Sequence, residues 1–306
     1  MDTQEYICET CGGNHPTDAH QDNLENRPEV SIDRLLSDTP ESRPAEQKRE
    51  FSVEIKGQKF DFLEIQSVES SDTLLIHLPG FGEDAEQYAE PMHVLMEKSY
   101  RTVALKRYGE VFSRELLVEA LGQVIQSSGK QNTVFHGDSF GAAVVYDLIS
   151  NPADREFLKR NNVVGAILEA PFLDKNHLKG KARLIPDEVL IRGSMLFDKV
   201  RNLRSLTPRQ DMVELSPSEK KSIIREALRE KKGERKIEVP IHVVFVEDES
   251  LSDNEKIMKT LQSQGQEVSS ITVMSADDNR HHIADGQYED MWREEKEAID
   301  VFVKPV

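Results

Sequence analysis

In TVFHGDSFGAAVVYD, residues 133–147, a lone serine stands between two glycines where an apolar run ends. The spacing is Gly137-x-Ser139-x-Gly141. A hydroxyl is a weak nucleophile until a neighbouring base takes its proton, and it must project from the chain to meet a substrate. A sharp strand-to-helix bend provides the projection. It holds the serine in a strained backbone conformation and packs the helix close to the strand, so the flanking residues must be small. Gly137, Gly141 and Ala142 satisfy that demand. The plain alternative is an exposed serine in a glycine-rich turn.

Such a serine needs an oxyanion site, a base and an acid. HLPGFGED (77–84) is a glycine-rich turn between an expected strand and an expected helix. Its Phe81 N–H, with the Phe140 N–H just after the serine, could hold a developing negative charge. The acid and the histidine are expected downstream, in that order. Asp248 or Glu249 follows the run PIHVVFV and could orient an imidazole. His281 or His282, in DDNRHHIADG after SSITVMSA, could act as general base from a loop. His77 and His136 lie on apolar strands or their ends and read as core groups, or as support for the site. Asp174, after APFL, is a reserve acid.

The elements needed to position these groups are legible. FSVEIKG and KFDFLEI alternate polar and apolar residues around a short turn, which predicts a hairpin. TLLIHLP, RTVALKR, NTVFHG, NVVGAILEAP, PIHVVFVED and SSITVMSA read as short strands. Between them lie amphipathic stretches, including EQYAEPMHVLMEKS, expected to break or kink near Pro91, and SRELLVEALGQVIQSSG. Tyr288, Trp292, Ile299 and Phe302 form the inner stripe of an expected C-terminal helix. The alternation predicts an α/β fold: a doubly wound, mostly parallel sheet with an N-terminal antiparallel hairpin. Residues 174–236 show no convincing strand and read as a helical insertion. Within it, Ser216, Pro217 and Glu219 spell a capping box, and Ile223, Ile224, Ala227 and Leu228 an apolar face.

The chain has 306 residues and a net charge of −17, which argues against nucleic acid or an anionic membrane as a partner. No run approaches the roughly 18 apolar residues of a membrane span. MDTQEYICET lacks the basic and apolar regions of a secretory signal, so a cytoplasmic protein is expected. The two cysteines, Cys8 and Cys11, are too close for a disulfide framework. With His15 and His20 they could offer tetrahedral zinc two thiolates and two imidazoles. The pattern resembles a small zinc knuckle and would suit docking to a protein partner better than catalysis. Residues 21–50 are charged and poor in large apolar side chains and read as a disordered linker.

HLPGFG, GDSFG in its strand–helix setting, the VEDES strand end and the HH pair together resemble the α/β-hydrolase superfamily over about residues 51–306. That resemblance implies Ser139 as nucleophile, Phe81 and Phe140 as the oxyanion hole, and the 174–236 insertion as a lid. It places the acid at Glu249, with Asp248 still open because the family more often uses aspartate, and it favours His281 over His282. Val246 and Arg280 stand where the family usually has glycine, and Asp138 where esterase-like members often have histidine. The implied activity is hydrolysis of a carboxylic ester, thioester or related small acyl compound through an acyl-enzyme, with no cofactor for catalysis. The competing expectation is a non-catalytic binding or adaptor protein that kept the fold.

Overall fold

The computed structural model describes residues 48–66, 71–81, 83, 85–96, 99–109, 111–192, 215–231, 233–247, 252–265, 268–273, 275–276, 279–283 and 288–304. Residues 1–20, with Cys8, Cys11, His15 and His20, lie outside this set, as does most of the expected linker. β1 (Lys48–Ile55) begins inside the segment read as linker and pairs antiparallel with β2 (Gln58–Ile65) across a turn at Lys56 and Gly57, both at positive φ. β2 joins β4 (Arg101–Leu105) antiparallel. From there the sheet is parallel: β4 beside β3 (Thr73–Leu78), then β5 (Asn132–Asp138), β6 (Val163–Glu169), β7 (Ile241–Val246) and β8 (Val268–Val273). The strand order is β1-β2-β4-β3-β5-β6-β7-β8. This is the expected architecture, with the hairpin at one edge. β3 and β7 are buried throughout, as strands covered on both faces must be.

Helices pack on both faces. α1 (Ala85–Leu95) runs without a break through Pro91. The helix does not break there: Ala89, Met92 and Met96 are buried on both sides of the proline, and Met96 N–H still bonds to Met92 O at 2.8 Å. Core burial there outweighs the one hydrogen bond a proline forfeits. α2 (Arg114–Ser128) starts on Ser113, whose hydroxyl accepts from Leu116 N–H, and stops at Gly129 in the left-handed region. Leu117, Ala120, Leu121 and Val124 form its buried stripe. All eleven residues of α3 (Phe140–Ser150) are buried. α4 (Arg155–Arg160) leads into β6, and α6 (Asn254–Ser263) bridges β7 and β8. α7 (Tyr288–Phe302) buries Met291, Trp292, Glu295 and Ile299. Among the described residues no helix is long and apolar enough to cross a membrane.

Within 174–236 the described residues form 3₁₀ turns at 175–177 and 182–184, a helical stretch at 187–192 and α5 (Pro217–Leu228), with no strand. The capping box is present: Glu219 N–H donates to Ser216 Oγ at 3.2 Å, and Ser216 N–H to Glu219 Oε2 at 2.8 Å. Of the expected apolar face, Ile223 and Leu228 are buried, while Ile224 and Ala227 are partly covered. The base of the insertion is tied shut, since Lys231 N–H donates to Asp174 Oδ2 at 3.3 Å. Just beyond it Arg235 donates to Asp147 Oδ1 at 2.6 Å, and Asp147, on α3, also takes a bond from Arg114.

Burial pushes the Asp147 carboxyl upward, but Lys231, Arg114 and Arg235 outweigh it and hold the group below the ordinary aspartate range. A depressed carboxyl contributes stability above its unfolded pKa of about 3.8–3.9, and that contribution disappears as pH falls through the lower folded value. Asp147→Asn is therefore expected to cost about 3 kcal/mol at pH 7, because it leaves Arg235 without its carboxylate and Arg114 with Asp154 alone. The loss should begin to shrink below about pH 4, where the unfolded carboxyl protonates, and go on shrinking towards the lower folded pKa. Urea melts of both chains at pH 7 and near pH 3.5 measure this, and an equal deficit at both pH values would contradict it.

Candidate active site

β5 ends at Asp138, α3 begins at Phe140, and Ser139 is the single residue between them. Its φ is 47° and its ψ is −102°, a sparsely populated conformation for a residue with a Cβ. Ser139 N–H donates to Glu169 O at 2.9 Å, across to β6. The side chain is half-buried and makes no capping bond to its own helix. The glycines have separate duties. A Cβ on Gly137 would sit 2.5 Å from the Gly141 carbonyl carbon. A Cβ on Gly141 would fall on the Leu78 carbonyl oxygen of β3. Ser139 is thus held in a cramped bend, at the carboxyl end of a central strand and the N-terminus of a helix whose first N–H groups have no partner within the helix.

The glycine-rich turn starts beside it. Leu78 pairs with Gly137, so Pro79, Gly80 and Phe81 leave β3 where Asp138, Ser139 and Phe140 leave β5. The turn is held from two sides. Tyr108 OH donates to Pro79 O at 2.8 Å, and Gly80 N–H donates to Glu83 Oε2 at 2.5 Å. Asp138 Oδ2 occupies the space a Cβ on Gly80 would need. The Phe140 ring lies edge-on to Tyr108 and Phe112, with centroids 4.9 and 5.6 Å apart. Phe81 and Phe140 therefore sit on neighbouring strand ends, each one step past a glycine or serine of the bend.

Asp248 and Glu249 lie outside the described residues. His281 and His282 lie on a short strand instead of the expected loop: β10 (Asn279–Ile283) pairs antiparallel with β9 (Ser275–Ala276). The reason is local. NRHHI offers a donor and an acceptor at each residue, and the adjacent SA segment satisfies part of them. β10 packs beside β7, the strand that leads to Asp248 and Glu249. The side chains of His281 and His282 are outside the described set. The reserve acid Asp174 is engaged elsewhere, accepting from Asn176 N–H at 2.8 Å and facing His177 Nδ1 at 2.9 Å.

Under the bend, on the face covered by α1 and α7, is a buried polar cluster. His77 and His136 meet through their Nδ1 atoms at 2.9 Å. His77 Nε2 is 3.0 Å from Glu83 Oε1. His136 Nε2 is 3.5 Å from Glu169 Oε2 and 3.3 Å from Glu295 Oε2. Tyr88 OH donates to Glu169 Oε2. Burial drives the Glu169 carboxyl well above the usual glutamate range, with Asp138 and Glu295 adding to the shift. Burial pulls His77 well below the usual histidine range, and the neighbouring His136 adds to it. The two histidines were legible as supporting groups, whereas Glu83, Glu169, Glu295 and Tyr88 were missed. One signal was available: Glu295 interrupts the apolar stripe of α7 between Trp292 and Ile299.

No family model and no curated protein matches the chain in sequence. Many solved structures share its fold. A soluble variant of monoglyceride lipase from Saccharomyces cerevisiae, in complex with a substrate analogue, has a TM-score of 0.61 at 11% identity, covering 88% of this chain and 99% of that one. Carboxylesterase CesB from Bacillus subtilis has a TM-score of 0.52 at 14% identity, with 89% and 95% covered. The type II thioesterase BorB from the borrelidin biosynthetic cluster has a TM-score of 0.53 at 15% identity, with 78% and 95% covered. Architecture and likeness agree: the fold is that of the α/β hydrolases.

Proposed function

We propose that the chain is a serine hydrolase that cleaves a carboxylic ester or related acyl compound. The observation that carries this reading is the backbone of Ser139, held at φ 47° between strand and helix by glycines that admit no side chain. A fold spends that strain where a side chain must be presented. In the proposed reaction an imidazole takes the Ser139 proton, Oγ attacks the carbonyl carbon, and the Phe81 and Phe140 N–H groups hold the oxyanion. The imidazole then protonates the leaving group, and water, activated by the same base, cleaves the acyl-enzyme. Asp248 or Glu249 fixes the imidazole tautomer. A cleft of about 750 Å³, lined by Val111, Phe112, Ile191, Ser222 and Arg225 among others, lies between the insertion and the segment whose Phe112 touches Phe140. Its lining is mostly charged, with Asp187, Glu188, Lys221, Glu226 and Arg229 beside the three apolar side chains, so a polar acyl compound suits it better than a long apolar one.

A fluorophosphonate probe tests the reading directly. One adduct per chain, mapped to the Ser139 peptide, is expected; a folded chain that takes up no probe would favour a binding protein on the same scaffold. Separate His281→Ala and His282→Ala variants identify the base. One should lose about 10⁴-fold in kcat on an activated ester and the other less than about tenfold. Equal, small losses would remove both from the mechanism.

A further inference from the structure

We propose that His136, Glu169 and Glu295 form a buried zinc site that braces the sheet beneath the serine bend. The hydrogen-bond pattern leads there. In the tautomer that lets His77 Nε2–H donate to the Glu83 carboxylate, neutral His77 presents a lone pair at Nδ1. His136 Nδ1–H must then supply the proton in the 2.9 Å contact between the rings. With His136 neutral, as a metal ligand must be, this leaves Nε2 as a lone pair aimed at two carboxylate oxygens. Among the described residues, and apart from their own 3.3 Å contact, neither His136 Nε2 nor either Glu295 oxygen has a hydrogen-bond partner, and both side chains are fully buried. Tyr88 OH serves one oxygen of Glu169, but His136 Nε2 and the Glu295 carboxylate face each other with no donor from another described residue, and a positive centre among the three groups would satisfy them.

The two edges at His136 Nε2 fit zinc. Four-coordinate zinc binds nitrogen and carboxylate oxygen at about 2.0–2.2 Å, which gives a tetrahedron with edges of about 3.3–3.6 Å. The two measured edges at His136 Nε2 are 3.3 and 3.5 Å, and all three ligand atoms lie within 4.8 Å of one another. The surroundings are those of a metal-binding histidine, which normally passes its other ring N–H to a further acceptor that fixes the ring. Here that chain is His136–His77–Glu83, and Tyr88 anchors the Glu169 carboxylate in the same way. One imidazole, two carboxylates and a water complete a coordination shell of four. The ligands come from β5, β6 and α7, so an ion would join the last helix to the two strands that hold Ser139: His136 is on its own strand, and Glu169 accepts its N–H.

The test uses the full chain with Cys8→Ser, Cys11→Ser, His15→Ala and His20→Ala, which removes the N-terminal thiolates and imidazoles. It is refolded with zinc, because the site is sealed, then cleared of loose metal and assayed by plasma mass spectrometry. About one zinc per chain is expected. Adding Glu295→Gln should weaken zinc affinity more than about 100-fold, and Glu83→Gln, which acts through His77, about 10–100-fold. A folded chain without zinc, or retention unaffected by Glu295→Gln, would overturn the site. If Glu295→Gln does not fold, cobalt(II) in the thiol-free chain decides. Intense visible bands of four-coordinate cobalt without thiolate charge transfer support the proposal, and the weak spectrum of hydrated cobalt defeats it. None of these readouts requires Ser139 to be catalytic.

Discussion

Ser139→Ala is expected to lower kcat for an activated ester by at least about 10⁴-fold, to abolish fluorophosphonate labelling, and to leave the thermal midpoint within a few degrees of wild type. The size follows from the division of labour in this chemistry. Without the oxygen no acyl-enzyme forms, and only the oxyanion donors and binding remain to assist water. Stability should hold because the side chain is only half-buried and small, while the backbone strain is common to both chains. Alanine in this conformation pays the same steric cost as serine, so stability neither collapses nor rises sharply. Steady-state hydrolysis, probe labelling and calorimetry on the same preparations check all three points. Turnover within tenfold of wild type would remove the nucleophile and with it the proposed mechanism.

Gly141→Ala is expected to destabilise the chain by at least about 3 kcal/mol, lowering the thermal midpoint by roughly 6–12 °C. Two effects oppose each other here. Gly141 lies in the first turn of α3, where alanine should help by about 1 kcal/mol on propensity. Against this, the new methyl would land on the Leu78 carbonyl, with the Pro79 carbonyl oxygen 2.9 Å away. Both obstacles are backbone, which cannot swing aside as a flexible side chain can. Relief requires α3 to lift from β3, and that moves the bend and the glycine-rich turn together. Activity should therefore fall further than stability alone accounts for. A control at Gly129, where a Cβ meets nothing within 4 Å but φ is +66°, should lose only about 1 kcal/mol on change to alanine. Equal losses at the two glycines would show that backbone freedom, not close approach, explains both.

The readings that succeeded from sequence rest on neighbours in the chain. The serine bend is spelled by small residues at fixed offsets, the start of α5 by Ser216, Pro217 and Glu219, and the parallel strands by short apolar runs between helices. Each is a local rule of sterics or hydrogen bonding. The His77–His136 contact joins residues 59 positions apart and depends on the register of β3 against β5, which no local pattern states. Glu295 is harder still, since a charged residue within an apolar stripe reads as a flaw until the facing histidine is known. The proline in α1 misled for the converse reason: its local rule is sound, but Ala89, Met92 and Met96 are packed firmly enough to override it. His281 and His282 were placed in a loop because a five-residue strand with two histidines and an arginine lacks the apolar alternation by which strands are recognised.

The tie between Lys231 and Asp174 has an evolutionary consequence. It pinches the ends of the intervening arch together, and Arg235 moors the returning chain to α3. Between these clasps, changes in length at the exposed positions outside α5 carry a closure cost that grows only with the logarithm of loop length, about 0.6 kcal/mol per doubling, whereas Ile223 and Leu228 of α5 are fixed by the core they fill. A lineage could retune what the molecule admits through those exposed positions while the buried face of α5 keeps the platform below intact.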